Sequence, residues 1–594
     1  MSSSTRRLAA LPALGLGLSL AAALAAGTGL RMRQPVIAVG GWLAALAAVL
    51  LAARTRRDGH QEGERWKASD WLAAASLLAL GLLLRLPDLA GNPWIHSDNE
   101  ASVGLAAVDF VSGVRDNPFT VSWFSFPTLF FLLESLSIRV LGRSVESLRV
   151  LPACVGALAV VATYGLGREM FGRRVGLLAG LYLSAMPFHV HFSRLGLNNV
   201  FDSLSIAIFS WGLWRGWKTG TRGPVLISGL ALGLGLYFYA TIRAAVLVLG
   251  LWLVAVWRSQ RESLRDNASA LAGLLAAAAI AFLPLGIYYL WQPAEFLAPL
   301  SRASVFSVWI PVMQQRFGDP AWWIMVEQLA NALLGVVVVD LRELYAGQPL
   351  LLAPAAAAFM LGVTVLGRRW RQPQYLWVAL WLATALGIVA LSTNAPTSQR
   401  YILATPAAAI TLALGLDQAS SWLTGRNLRL HGRTAVIAGA ALAGIVGYDL
   451  YFYFQVYARE QRFGDYHVEV ATALAEYLAR EPNPPYVYFF GLPRMGFRTL
   501  DTMAYLVPKA DGEDIEQPLQ GPPDWTLNGS SVFVFMPHRL EDVGWIVQRY
   551  PGGEMQLRYG RGPYTLFAVY RVEPVGDSWL GTGELPNRGG RRNQ

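Results

Sequence analysis

Residues 268–291 read ASALAGLLAAAAIAFLPLGIYYLW, from Ala268 to Trp291, without one charged side chain. A helix needs about 20 apolar residues to cross a hydrocarbon layer roughly 30 Å thick, so this stretch predicts a membrane span. Working outward, runs of the same kind fall at about 8–30, 35–53, 69–87, 147–167, 175–193, 199–214, 224–240 and 244–257. Others follow at 350–367, 375–391, 401–423 and 434–454. The expectation is a mainly α, polytopic helical bundle of about 13 spans.

Bulk composition agrees. The chain has 594 residues, of which 54% are hydrophobic and only 15% charged, and its mean hydropathy is +0.37. Soluble domains carry about 25% charged residues. A soluble enzyme, a disordered chain and a fibrous protein are therefore excluded. The net charge of +10 does not signal nucleic acid, because the basic residues sit in short loops between apolar runs. The single cysteine, Cys154, excludes an intramolecular disulfide and a cysteine-based metal cluster.

Charge also predicts orientation. With Arg6 and Arg7 placed inside, alternate loops are basic: Arg54, Arg56, Arg57, Arg65 and Lys67; Arg168, Arg173 and Arg174; Arg215, Lys218 and Arg222. The series continues with Arg258, Arg261 and Arg265; Arg368, Arg369 and Arg371; and Arg426, Arg429 and Arg433. This is a positive-inside pattern. It predicts a multi-pass protein of the cytoplasmic membrane, with the N-terminus cytoplasmic and residues 88–146, 292–349 and the C-terminal part outside. The first run also has signal-peptide flanks (Arg6–Arg7 before, Ala25, Ala26 and Gly27 after), but its length favours an uncleaved span.

Four regions result: 1–68, two extra spans and a basic inner loop; 69–455, the membrane module; 456–580, a small outer α/β domain; and 581–594, a Gly/Arg/Asn-rich tail expected to be disordered. In the outer loops, Ala101–Val114 and Phe124–Val140 read as helices lying on the membrane surface, and Ala321–Val339 as peripheral or re-entrant. In the α/β domain, Val468–Arg480 and Leu540–Arg549 read as helices, and Tyr486–Phe490, Ser531–Met536 and Tyr564–Val572 as strands.

Chemistry concentrates in two places. The segment Trp94-Ile95-His96-Ser97-Asp98-Asn99-Glu100 puts two carboxylates and a histidine where the chain leaves the third span. A carboxylate at such a boundary suits a general base, since low-dielectric walls lift its pKa while water still reaches it. The plainer alternative is a helix cap formed by Asp98 or Ser97. The second place is a set of lone arginines at predicted outer ends: Arg194, Arg243 and Arg400. Each either snorkels to headgroups or grips a phosphate group bidentately. His96, His189 and His191 show no compact ligand spacing, so no metal and no cofactor is expected, a divalent ion being the weaker alternative.

Several short stretches, in order, carry a family resemblance: Asn92-Pro93-Trp94 through Asn99-Glu100-Ala101, Val145-Glu146-Ser147-Leu148-Arg149-Val150-Leu151-Pro152, Leu166 to Arg174, His191-Phe192-Ser193-Arg194, and Gln399-Arg400-Tyr401-Ile402-Leu403. From about residue 70 to 455 the chain resembles bacterial membrane glycosyltransferases of the protein O-mannosyltransferase and aminoarabinose-transferase superfamily (glycosyltransferase family 39-like, GT-C fold). The resemblance implies sugar transfer from a polyprenyl-phosphate-linked donor on the outer face, to an acceptor that is a protein, a lipid or a cell-wall polymer. It implies Asp98 or Glu100 as base, Arg194, Arg243 and Arg400 as phosphate ligands, and a cavity lined by Tyr239, Asn198, Arg302 and His96. The family's acidic motif is an adjacent Asp-Glu; here Asn99 holds the Asp position, and its Pro-Pro pair is reduced to Phe126-Pro127-Thr128. Two other readings stand beside this one: a transporter or flippase for a lipid-linked glycan, and a non-catalytic cell-envelope assembly protein.

Overall fold

A computed structural model of the chain describes residues 3–54, 66–424, 431–460, 465–527, 529–560 and 564–573. The basic residues Arg6 and Arg7 (as side chains), Arg56, Arg57, Arg65, Arg426, Arg429 and Arg433 (as a side chain), and the tail from 581, lie outside what is described. The chain forms two compact units. One comprises Met1–Trp94 and Ser102–Gly464; the other joins Ile95–Ala101 to Asp465–Gln594.

In the first unit, each of the thirteen apolar runs contains a helix. Among the described residues, seven helices are long and apolar enough to cross a membrane, including Val145–Phe171, Arg261–Trp291 and Pro373–Ala390. Four more are shorter apolar helices, such as Ala68–Leu83 and Ala353–Arg368. The run at 175–193 is not one straight helix. It breaks into Arg173–Ala185 and Pro187–Ser193, bent by 59°, because Pro187 disfavours helical backbone at Met186, whose ψ is 116°. Small residues bring helices close: Gly362 on Ala353–Arg368 and Gly415 on Thr405–Thr424 each face the other helix's backbone, at Thr411 and Ala358 respectively. The surface run expected from Phe124 begins as a helix only at Leu129, since Phe124 and Ser125 have left-handed backbone (φ 53° and 60°). The run at 321–339 is helical over Ala321–Leu334.

The second unit is a five-stranded mixed sheet. Its strands are β1 (Tyr486–Phe490), β2 (Gly512–Asp514), β3 (Ser531–Phe535), β4 (Glu554–Tyr559) and β5 (Thr565–Val572), in the order β2-β1-β3-β5-β4. β1 pairs parallel with β2 and β3, and β5 antiparallel with β3 and β4. Val487, Phe489, Val532 and Val534 face the core shared with helix Tyr466–Leu478. Tyr488, Phe490, Phe533 and Phe535 face a second core holding Ile546 and Tyr550. Burial on both faces explains why β1 and β3 read as unbroken apolar runs rather than alternating ones.

Candidate active site

The acidic segment is built around a helix N-terminus. Ser97 caps helix Asp98–Val111: its hydroxyl accepts from the Glu100 amide at 3.3 Å, and the Glu100 carboxylate accepts from the Ser97 amide and hydroxyl, both at 3.1 Å. This is a reciprocal capping box. Glu100 is fully buried, so the alternative base is instead a capping residue. His96 does not line an open cavity. Its ring is buried and stacks on Tyr505 with centroids 5.8 Å apart, and its amide donates to the Thr472 hydroxyl at 3.1 Å.

Asp98 is the first residue of the same helix. It is half-buried and accepts a hydrogen bond from the Asp501 amide at 2.7 Å. Burial raises its pKa above the ordinary carboxylate value; the Asp501 amide works against this, and the nearby charges of Asp501 and Asp465 add to the rise. Of the two sequence candidates, Asp98 alone keeps the partial exposure and raised basicity that proton acceptance requires.

In the first unit, the three arginines divide. Arg194 is 1% exposed and all five of its N–H groups point at backbone carbonyls: Asn92, Leu84, Arg85, Pro87 and Asp88. A guanidinium has five donors, so none remains for a phosphate. Arg194 is a clamp on the loop 84–92, which corrects its assignment as a phosphate ligand. Asn198 is likewise structural, its amide donating to the Phe238 carbonyl at 3.1 Å.

Arg243, Arg400, Arg302 and Tyr239 do share a neighbourhood. The turn Ala240–Arg243 is pinned by the Thr241 hydroxyl, which donates to the fully buried Asp202 carboxylate at 2.6 Å. Arg243 donates to the Phe296 carbonyl at 2.8 Å and lies over the Phe296 ring at 4.2 Å. Tyr239 stands 5.7 Å from Phe126, which is 5.7 Å from Phe124, and Arg302 sits over Phe124 at 5.5 Å. Arg400 and Glu343 act electrostatically on Tyr239. Arg400 Nη1 is buried with no hydrogen-bond partner. The result is a basic, aromatic-lined corner with an unsatisfied guanidinium donor, a fit for an anionic oxygen. Asp202 was missed from sequence; its signal is a single acid near the start of the apolar run 199–214.

The histidines considered for metal are committed elsewhere. His189 Nδ1 accepts from Arg85 at 2.8 Å, which leaves Nε2 to donate to Ser203 at 3.1 Å. His191 Nε2 donates to the Leu344 carbonyl at 2.7 Å. Among the described residues no group of three His, Cys, Asp or Glu side chains could hold a metal ion.

With this geometry in place, comparison with known proteins is informative. Residues 125–289, the stretch holding Asp202, Tyr239 and Arg243, match the family model described as dolichyl-phosphate-mannose-protein mannosyltransferase. Over 85% of its length the chain superposes on 98% of ArnT from Cupriavidus metallidurans bound to undecaprenyl phosphate, with a TM-score of 0.51 and 14% identity. The chain shares the fold of ArnT, that of the GT-C membrane glycosyltransferases, and its residues 125–289 are similar to the mannosyltransferase family. The apo form of the same ArnT gives a TM-score of 0.49 at 15% identity, covering 85% of this chain and 98% of that one. The archaeal oligosaccharyltransferase AglB from Archaeoglobus fulgidus, in complex with an inhibitory peptide and a dolichol-phosphate, gives 0.45 at 14% identity, covering 78% and 69%. No curated protein matches the chain. At this identity, the superposition on ArnT establishes the GT-C fold of this multi-pass membrane protein and nothing finer.

Proposed function

We propose that this GT-C protein transfers a sugar from a polyprenyl-phosphate donor to an acceptor hydroxyl on the outer face of the cytoplasmic membrane. The acceptor oxygen attacks the anomeric carbon, the bond to the phosphate oxygen breaks, and the polyprenyl phosphate leaves as an anion. That leaving group is stable without protonation, so no general acid is needed. Arg400, Arg243 and Arg302 stabilise its charge, Tyr239 lines the sugar's side of the corner, and Asp98 takes the acceptor's proton.

The observation that carries this reading is the buried, unpartnered Arg400 Nη1 beside Tyr239. The undecaprenyl phosphate held by the ArnT structure is a group of the required kind. The transport reading has less support, because Arg243 and Arg400 lie in turns between helices rather than along a path through the bundle.

The test is transfer of labelled sugar from polyprenyl-phosphate sugars in membranes containing the full chain. Replacing Arg400 by alanine removes a charge-assisted hydrogen bond worth about 1.5–3 kcal/mol, so donor KM is expected to rise roughly 10- to 100-fold. Asp98→Asn is expected to lower the rate by about 10²- to 10⁴-fold while leaving membrane insertion intact. Normal transfer by Asp98→Asn removes that residue from the mechanism. No transfer by the unaltered chain from any such donor returns the protein to the transport or assembly readings.

A further inference from the structure

Strand β4 ends the sheet of the second unit. It pairs with β5 on one side, and among the described residues no strand pairs with its other side. An open edge of this kind is a template for a further strand, and proteins commonly blunt it with proline or lysine. β4 contains neither. It also exposes an apolar row on one face: Met555 is 41%, Leu557 48% and Tyr559 59% exposed.

Side chains alternate along a strand, so Glu554, Gln556 and Arg558 share the other face. They form a ladder. The Gln556 amide donates to the Glu554 carboxylate at 2.7 Å, and the Arg558 guanidinium donates to the Gln556 side-chain oxygen at 3.0 Å. Along the strand the charge runs negative, neutral, positive; along an antiparallel copy it runs positive, neutral, negative. Two copies laid edge to edge about Gln556 therefore oppose Glu554 to Arg558 twice, Gln556 to Gln556, and Met555 to Leu557 twice. Residues opposed in this way share a face and interact. A register centred on Leu557 instead would put Gln556 against Arg558 and leave Glu554 against Gly560. A register between the two would set charged side chains against apolar ones. The pairing of β4 with β5 is regular only over Glu554–Arg558 and shifts between Arg558 and Tyr559. The stretch able to extend the sheet thus has Gln556 at its centre.

We propose that β4 pairs antiparallel with β4 of a second copy of this chain, centred on Gln556, so that the two five-stranded sheets become continuous. The contact is small beside the roughly 800 Å² per partner of a stable soluble complex, so it relies on the high local concentration of copies held in one membrane. It stands whether or not the transferase reading holds. The test is disulfide crosslinking of the full chain in its membrane, in a Cys154→Ser background that removes the single native cysteine. Gln556→Cys is expected to give a disulfide dimer on mild oxidation, because opposed residues lie about 4.5–5.5 Å apart at Cα, within reach of a disulfide. Glu554→Cys alone should give none, whereas Glu554→Cys mixed with Arg558→Cys should give the mixed dimer. In the Gln556→Cys chain, Glu554→Arg should cut the dimer yield about three- to tenfold, since two attractive pairs become repulsive. Adding Arg558→Glu to that variant should restore the yield, which also shows that the altered strand still folds. No dimer from Gln556→Cys, an equal dimer from Glu554→Cys alone, no mixed dimer, or a yield indifferent to the charge changes would overturn the proposal.

Discussion

Asp98 and Glu100 are two residues apart, and their surroundings give them different tasks. Glu100 closes a cap and is sealed in; Asp98 keeps one side open and has its basicity raised by burial. A raised folded-state pKa means that the protonated form is favoured in the fold. The stability Asp98 contributes is thus fully present below its unfolded pKa and is lost as pH rises through its folded pKa. The rate moves the opposite way, since only the carboxylate accepts a proton. Transfer kcat/KM is expected to climb with pH through that raised pKa, and the acidic limb should vanish from the residual rate of Asp98→Asn. A limb that persists in the variant assigns it to another group. The sequence could name both acids but not divide them, because the division depends on Asp501, some four hundred positions away. For Arg194 the sequence misled: its isolation at a helix end looked like ligand chemistry, whereas its partners are carbonyls, which leave no mark on side-chain composition.

Elements were more legible than contacts. Each apolar run contains a helix, broken in two at Met186 in the run 175–193, because hydrophobic length is a local property, and β1 and β3 were found because both faces are buried. β4 was missed because it is an edge strand whose residues are largely exposed, and β2 because three residues carry too little pattern. What the apolar runs do not disclose is which helices touch. Gly362 shows how close the contact is: a methyl group there would run into the Thr411 carbonyl. Gly362→Ala should force the helices Ala353–Arg368 and Thr405–Thr424 apart, at about 1–3 kcal/mol for overpacking, and lower the unfolding midpoint. Gly367→Ala, on the first of these helices with open space around it, should leave the midpoint unchanged or higher. Equal behaviour of the two variants would show that the close approach does not exist.

At the level of the whole molecule, chain order and spatial order part company. The sequence assigned residues 88–146 to the membrane module as one outer loop, but the strip Ile95–Ala101 is part of the C-terminal α/β unit. Its partners there are Thr472, Asp501, Thr502 and Tyr505. No local pattern could reveal this, since it is a pairing of distant segments. A chain ending at residue 464 should therefore show fast amide exchange across Ile95–Ala101, where the full chain is protected, and lose sugar transfer even though the helices remain. Unchanged protection would mean that the strip is ordered by its own helix alone.

The placement of that strip also sets an order of events during biosynthesis. The acidic motif leaves the ribosome ahead of most of the apolar helices, yet the residues that hold it follow 376 to 406 positions later in the chain. A nascent protein can thus insert its described apolar helices before its proposed proton acceptor has a fixed position, and translation must pass Asp501 before that residue is locked in place.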